Sequence, residues 1–119
     1  MATKTAYPFR VEPQEVDFSL RITLVALGGN ILNIAGIDAH TKGFGVDALN
    51  KDNFSWVLSR IAFEFDYRPE EYVKYEIATW ISDYGRVLST RNFTLTDTAS
   101  GREFGRAVTQ WAMIDLQSR

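Results

Sequence analysis

The chain contains no cysteine. That excludes disulfides, thiolate metal sites and a cysteine nucleophile. It has a single histidine, His40, too few for a dedicated zinc site. No apolar run approaches the ~20 residues a membrane-spanning helix needs. The first eight residues, Met1-Ala-Thr-Lys-Thr-Ala-Tyr-Pro8, lack the apolar core of a secretory signal, so a cytoplasmic location is expected. A basic excess is missing too. Thirteen Lys and Arg stand against fifteen Asp and Glu, a formal charge of -2, which argues against nucleic acid as partner. Internal repeats and low-complexity segments are absent.

What remains is 119 residues, 45% apolar and 24% charged, the balance of one soluble domain with one core. Tyr7 to Val16 alternates loosely but carries Pro8 and Pro13, which limits it to a sheet edge. Asp17 to Thr41 reads as one long helix, with Asp17 or Ser19 as N-cap and Gly43 closing its C-terminus. Leu20, Leu24, Leu27, Ile31 and Ile34 recur at helical spacing, and Ile22, Val25 and Leu32 fill a second stripe. A helix apolar nearly all round is expected to be buried. Its glycines, Gly28, Gly29 and Gly36, are expected where a sheet passes close over it.

After a loop from Phe44 to Asp52, four runs alternate as half-buried antiparallel strands do. Phe54–Phe65 places Val57, Ser59, Ile61, Phe63 and Phe65 on one face. Tyr72–Ile81 does so with Val73, Tyr75, Ile77 and Ile81. Arg86–Thr96 sets Val87, Phe93 and Leu95 opposite Thr90, Asn92, Thr94 and Thr96. Glu103–Leu116 aligns Phe104, Val108, Ala112, Ile114 and Leu116. Turn residues separate them: Arg68-Pro69-Glu70, Ser82-Asp83-Tyr84-Gly85 and Asp97-Thr98-Ala99-Ser100-Gly101. A helix of ~24 residues and strands of ~11 residues both span ~36 Å. The expected fold is therefore α+β, a hotdog, with one long central helix wrapped by an antiparallel sheet across residues 1–119.

These residues also resemble a family. Trp56-Val57, Arg60 and Glu64 stand in the W-V-x-x-R-x-x-x-E spacing of bacterial and plant acyl-ACP thioesterases. Ala26 to Gly36 is similar to their first central helix, and Gly43-Phe44-Gly45 with Leu49 to the segment after it. Thr79-Trp80, Gly85-Arg86, Arg91-Asn92-Phe93, Asp97, Gly105-Arg106-Ala107 and Trp111-Ala112-Met113 keep the family's order. The resemblance runs from about Phe18 to Arg119. It implies the first of two hotdog repeats in an enzyme that hydrolyses fatty acyl thioesters of acyl carrier protein during fatty acid biosynthesis. It also implies that the acid–base residues, an Asn-x-His motif with nearby carboxylates, lie in the second repeat. No catalytic residue is assigned within this chain, and no cofactor or metal is implied.

The implied acyl-binding set is Ile31, Ile34, Phe44, Leu49, Trp56, Ser59 and Trp111. Aromatic and aliphatic walls suit an alkyl chain, since each buried methylene gains ~0.8 kcal/mol. Ser59 lacks the G-x-S-x-G turn that exposes an attacking hydroxyl, so it reads as a small residue on a packed face rather than a nucleophile. Arg86 and Arg91 are the carrier-facing candidates, because guanidinium groups attract an acidic carrier. Arg60 and Glu64 point to the same side of their strand and read as a structural pair. Asn30 and Asn33 bond locally or face a hydrated groove or the second repeat, and His40 sits near the helix C-terminus. Expected partners are acyl carrier protein and a second hotdog domain, in the same chain or as a homodimer. Two other readings stay open: a non-catalytic acyl-binding module, and a stand-alone homodimeric acyl-CoA thioesterase.

Overall fold

A computed structural model describes residues 4–43, 45, 50–85 and 87–117. The elements in chain order are β1 (Thr5–Arg10), a 3-10 turn (Pro13–Glu15), α1 (Leu24–Thr41), β2 (Phe54–Phe65), β3 (Lys74–Tyr84), β4 (Leu88–Asp97) and β5 (Glu103–Asp115). All five strands form one antiparallel sheet in the order β1-β3-β4-β5-β2. The helix packs on one face of it, so the expected hotdog arrangement is present. Pro8 lies in β1 at one edge, where a missing N–H is tolerated. At the opposite edge, β2 runs for twelve residues with β5 as its neighbour.

The core forms where α1 meets β3, β4 and β5. Leu27, Ile31, Ile34 and Ala35 pack with Tyr75, Ile77, Phe93, Leu95, Phe104 and Ala107. Phe9 stacks on Tyr75 at 5.4 Å, and Tyr75 meets Phe104 edge to face at 5.9 Å, arrangements that suit the ring quadrupoles. Gly105 is needed for a specific reason. A Cβ there would lie 2.3 Å from Cδ1 of Phe65, whose ring occupies that space.

Three sequence expectations change. First, α1 begins at Leu24, capped by Thr23, whose hydroxyl accepts from the Ala26 N–H at 3.1 Å. Residues 17–22 are drawn out of the helix by tertiary hydrogen bonds. Val16 bridges Ile22, the Ile22 N–H donates to the Pro69 carbonyl (2.9 Å), and the Glu71 N–H donates to the Leu20 carbonyl (2.9 Å). Leu20 takes a left-handed φ of 62° to make this turn, a conformation that costs a bulky residue about 1–3 kcal/mol.

Second, the helix is not buried all round. Val25 is 86% exposed and Ile37 42%. Gly29 and Gly36 lie on that open side, where an added Cβ would touch nothing, and only Gly28 faces a neighbour, the Phe63 ring at 3.7 Å. Close passage of this sheet therefore does not explain them.

Third, β2 carries an irregularity between Leu58 and Arg60. The extra residue, Ser59, flips the alternation. Leu58 and Trp56 share a face with Ile61, Phe63 and Phe65, whereas Val57 falls on the other. A second irregularity, between Leu95 and Thr96, shifts β5 likewise. Gly105, Ala107, Thr109 and Trp111 face the helix side, and Val108 and Ala112 do not. Gly43, with φ 87°, terminates the helix as expected; its N–H donates to the His40 carbonyl at 3.1 Å.

Candidate functional site

Strand register arranges the helix-side face in cross-strand rows. Leu95, Gly105 and Phe65 form one row, and Phe93, Ala107 and Phe63 the next. Arg91, Thr109 and Ile61 follow, then Ser89, Trp111 and Leu58, and finally Met113 with Trp56. The first two rows are apolar and lie in or beside the core. The last two are apolar apart from Ser89, and Trp56, Leu58, Trp111 and Met113 are only half-buried. Between these zones the chemistry changes.

The buried polar or charged side chains among the described residues lie in or next to that intervening row: Asp38, Thr79, Ser89, Arg91 and Thr109. Arg91 is 4% exposed and Asp38 1%. The Arg91 Nη1 donates to Asp38 Oδ2 at 2.6 Å and to Thr79 Oγ1 at 3.1 Å. Lys42, one turn further along α1, donates to both Asp38 oxygens at 2.7 and 2.8 Å. The Tyr7 hydroxyl donates to Asp38 Oδ1 at 2.7 Å. The Trp111 indole N–H donates to Thr109 Oγ1 at 2.8 Å. Ser89 Oγ is buried without a partner.

Burial pushes the Asp38 carboxyl upward, but hydrogen bonds from Lys42, Tyr7 and Arg91 outweigh it and hold the group below its ordinary value. With its oxygens engaged by three donors, Asp38 is poorly placed to act as a general base. Burial first, then the Asp38 hydrogen bond, pushes the Tyr7 phenol up to about 12. Burial likewise pushes Tyr75 up to about 12, opposed by the hydrogen bond it accepts from Asn30 Nδ2 at 3.0 Å. A raised phenol pKa favours the neutral form in the folded state. Its stabilisation is whole below the ordinary pKa of about 10. It is lost as pH rises through about 12. An alkaline absorbance titration is expected to show two phenols ionising late in the folded chain, and to lose that lag in denaturant.

The expected site residues separate. Ile31 and Ile34 are closed into the core at 0% and 3% exposure, whereas Trp56 and Trp111 sit on the half-buried rows beyond the polar zone. Ser59 is the exposed extra residue at the β2 irregularity. Arg91 is a correction. It faces the interior and is bound to Asp38, so its guanidinium is not displayed to a carrier. Phe44, Leu49 and Arg86 lie outside the described residues. The Arg60–Glu64 pair is also corrected: Glu64 lies opposite Arg106 and pairs with it at 2.7 Å, because cross-strand neighbours are closer than residues four apart along one strand. Asn30 donates to Glu15 (3.2 Å) and Tyr75, Asn33 is exposed, and His40 is exposed in the last helical turn.

Asp38, Thr79, Lys42 and Tyr7 were not legible as a unit in the sequence. One signal existed: Asp38 is the sole carboxylate within Leu24–Thr41, and it continues the buried stripe of Ile31, Ile34 and Ala35. A stripe that buries a charge requires a cationic partner across the interface.

The other face of the sheet bears an open hollow of about 470 Å³, lined in part by Ala62, Trp80, Asn92 and Val108. Arg106 stands at its rim, paired with Glu64 and, at 3.0 Å, with Glu103. Among the described residues no group of His, Cys, Asp and Glu could hold a metal, and no helix is long and apolar enough to cross a membrane.

Residues 2–119 match the family profile described as the acyl-ACP thioesterase N-terminal domain. Oleoyl-acyl carrier protein thioesterase 2 of Arabidopsis thaliana, a chloroplastic protein, is 27% identical over 117 residues, covering 93% of this chain and 32% of that one. The crystal structure of an acyl-ACP thioesterase from Bacteroides thetaiotaomicron superposes with a TM-score of 0.94 at 43% identity, over 98% of this chain and 47% of that one. The 12:0-ACP thioesterase from Umbellularia californica shares the fold, with a TM-score of 0.87 at 19% identity over 98% of this chain and 44% of that one. The chain thus spans about a third of that curated relative and about half of those structures.

Proposed function

Because this chain belongs to the acyl-ACP thioesterase family, as an N-terminal domain of it, we propose that it is the acyl-gripping half of an enzyme that hydrolyses fatty acyl thioesters of acyl carrier protein. One observation carries the reading. The helix side of the sheet keeps an apolar shelf of Trp56, Leu58, Trp111 and Met113 half-open beyond the core. The one buried carboxylate among the described residues, Asp38, is committed to Arg91, Lys42 and Tyr7. A shelf without an acid–base set suits holding an alkyl chain while another domain supplies the water chemistry.

That other domain is a second hotdog repeat. Two features support its docking here. The β2 edge is long, and α1 displays Val25, Gly29, Gly36 and Ile37 on its open side. Glycine on a solvent-facing helix costs about 1 kcal/mol relative to alanine with no gain in this chain alone. Close approach of a neighbouring backbone offsets that cost. The enzyme works in the cytoplasm.

The test compares the chain alone with the chain joined to a second repeat, using acyl-ACP and acyl-CoA substrates. Binding without turnover is expected from the chain alone, and acyl-ACP hydrolysis from the joined protein. Turnover of coenzyme A thioesters by the chain alone would favour a self-sufficient homodimer instead. Gly29→Ala with Gly36→Ala is expected to stabilise the chain alone by about 1–2 kcal/mol. Gly29→Leu with Gly36→Leu is expected to weaken association with the second repeat at least tenfold in sedimentation, a loss of about 1.4 kcal/mol or more.

A further inference from the structure

We propose that the outer face of the sheet, turned away from α1, is where two copies of this chain pack back to back, related by a twofold axis running along β4. This surface is separate from the acyl shelf and from the open backbone of β2, and its use does not depend on what the chain binds there.

Strand register sets the outward side chains in rows across the sheet. Ala6, Ala78, Thr94, Arg106 and Glu64 form one row. Trp80, Asn92, Val108 and Ala62 form the next, and the Lys4 Nζ lies 4.9 Å from the centre of the Trp80 ring. Asp83, Thr90, Gln110 and Arg60 follow, then Leu88, Ala112 and Val57. A sheet face that meets only water is normally polar at such positions. Here the Trp80 row has no charge between β3 and β2, and Leu88 and Val57 are 41% and 44% exposed. The hollow of about 470 Å³ opens over Ala62 and Val108, with Trp80 on its opposite side. The face thus carries a knob on one flank and a recess on the other.

A twofold along β4 exchanges the two flanks and keeps the strand direction. Given the order β1-β3-β4-β5-β2, it lays β3 over β5 of the other copy and β1 over β2 of the other copy. Three features match under that single operation. Trp80 falls on Val108 and the recess beside Ala62. Lys4 falls beside Glu64, which is 75% exposed and stands with Asp66 and Glu103 as an acidic group around Arg106. Asp83 falls on Gln110, one strand spacing of about 4.8 Å from Arg60, within reach of that long side chain. The other in-plane axis, across the strands along the Trp80 row, sets Trp80 against Trp80 and Lys4 against Lys4, knob on knob and like charge on like. The axis along β4 also gives the aligned stacking that face-to-face sheets adopt. Five strands over about seven residues of length cover about 600 Å² per copy, about 1,200 Å² in all, the lower end for a specific interface. Because the contact is isologous, it closes at two copies.

The experiment is sedimentation equilibrium, from ~1 to ~200 µM, of the chain joined to a second repeat, so that the β2 edge is occupied. A two-copy species is expected, with a dissociation constant on the order of 10 µM. Ala62→Trp fills the recess that receives Trp80 and is expected to weaken association at least tenfold. Arg60→Asp sets an acid against Asp83 and is expected to weaken it at least threefold, as is Asp83→Arg. Arg60→Asp together with Asp83→Arg is expected to restore the native value within about twofold, because the two charges trade places across the axis. If Ala62→Trp proves unfolded by circular dichroism, the reversals at the two exposed positions decide. The same variants in the chain alone are expected to fall in the same order, so the outcome does not hang on the second repeat. A protein that stays single at the highest concentration overturns the proposal. So does a two-copy species indifferent to Ala62→Trp and Arg60→Asp, or a double reversal that restores nothing.

Discussion

Arg91→Met is expected to destabilise the fold by about 3–5 kcal/mol, nearer the lower figure, measured by urea denaturation near neutral pH. The side chain is of similar length, so the loss is electrostatic rather than steric. Removing the guanidinium strands the Asp38 carboxylate in the interior, 1% exposed, with only Lys42 and Tyr7 to compensate. Lys42 is 28% exposed and remains as a partner, which keeps the cost from the top of the range. The pH dependence follows from the sign of the Asp38 shift. Burial raises its pKa, yet the hydrogen bonds lower it further, so the folded value lies below the unfolded one. The stabilisation is whole above the unfolded pKa of about 3.9 and is lost as pH falls below it. In Arg91→Met the folded pKa rises toward the unfolded one, so the part of the acid limb that Asp38 contributes is expected to shrink. Adding Asp38→Leu to Arg91→Met is expected to restore most of the loss, because two apolar groups replace a pair rather than break it. If the double variant is as unstable as the single, steric damage, not a stranded charge, explains the effect.

Gly105→Val carries the second large effect, a loss of about 3 kcal/mol, at the upper end for overpacking. The new Cβ would fall 2.3 Å from Cδ1 and 2.8 Å from Cε1 of Phe65, and 3.4 Å from the Glu64 carbonyl oxygen. A ring cannot yield as the tip of a lysine does, so Phe65 must leave its place against the core, or β2 must shift against β5 along their shared register. Phe65→Ala should relieve this. A double-mutant cycle is expected to return a coupling of more than about 1 kcal/mol, with the double variant less damaged than the sum of the singles. Simple additivity would mean that the ring is not what occupies the space.

These two residues mark how far the sequence could be read. Its alternating runs placed β2 to β5 within a few residues, and β2 from Phe54 to Phe65. The run from Leu24 to Thr41 was helical as its spacing required. What failed was the part set by long-range hydrogen bonds. Ile22 fits a helical stripe but spends its backbone on Pro69 and Val16, and nothing local signals that. The irregularity at Ser59 likewise inverted the faces of Trp56 and Val57, since a one-residue insertion leaves no compositional trace. For the site, the tryptophans could be singled out by size and apolarity. Arg91 could not be told from a surface arginine, because its partner Asp38 is 53 residues away in the chain.

The two margins of the sheet differ in a way that bears on stoichiometry. β1 is six residues long and interrupted by Pro8, whereas β2 offers twelve without a proline. A short strand with a missing donor is a poor template for strand addition. Recruitment by hydrogen bonding is thus confined to a single flank. If the proposed second repeat occupies β2, the margin left over is the short, proline-bearing β1, so that proposal predicts a closed pair rather than a fibre.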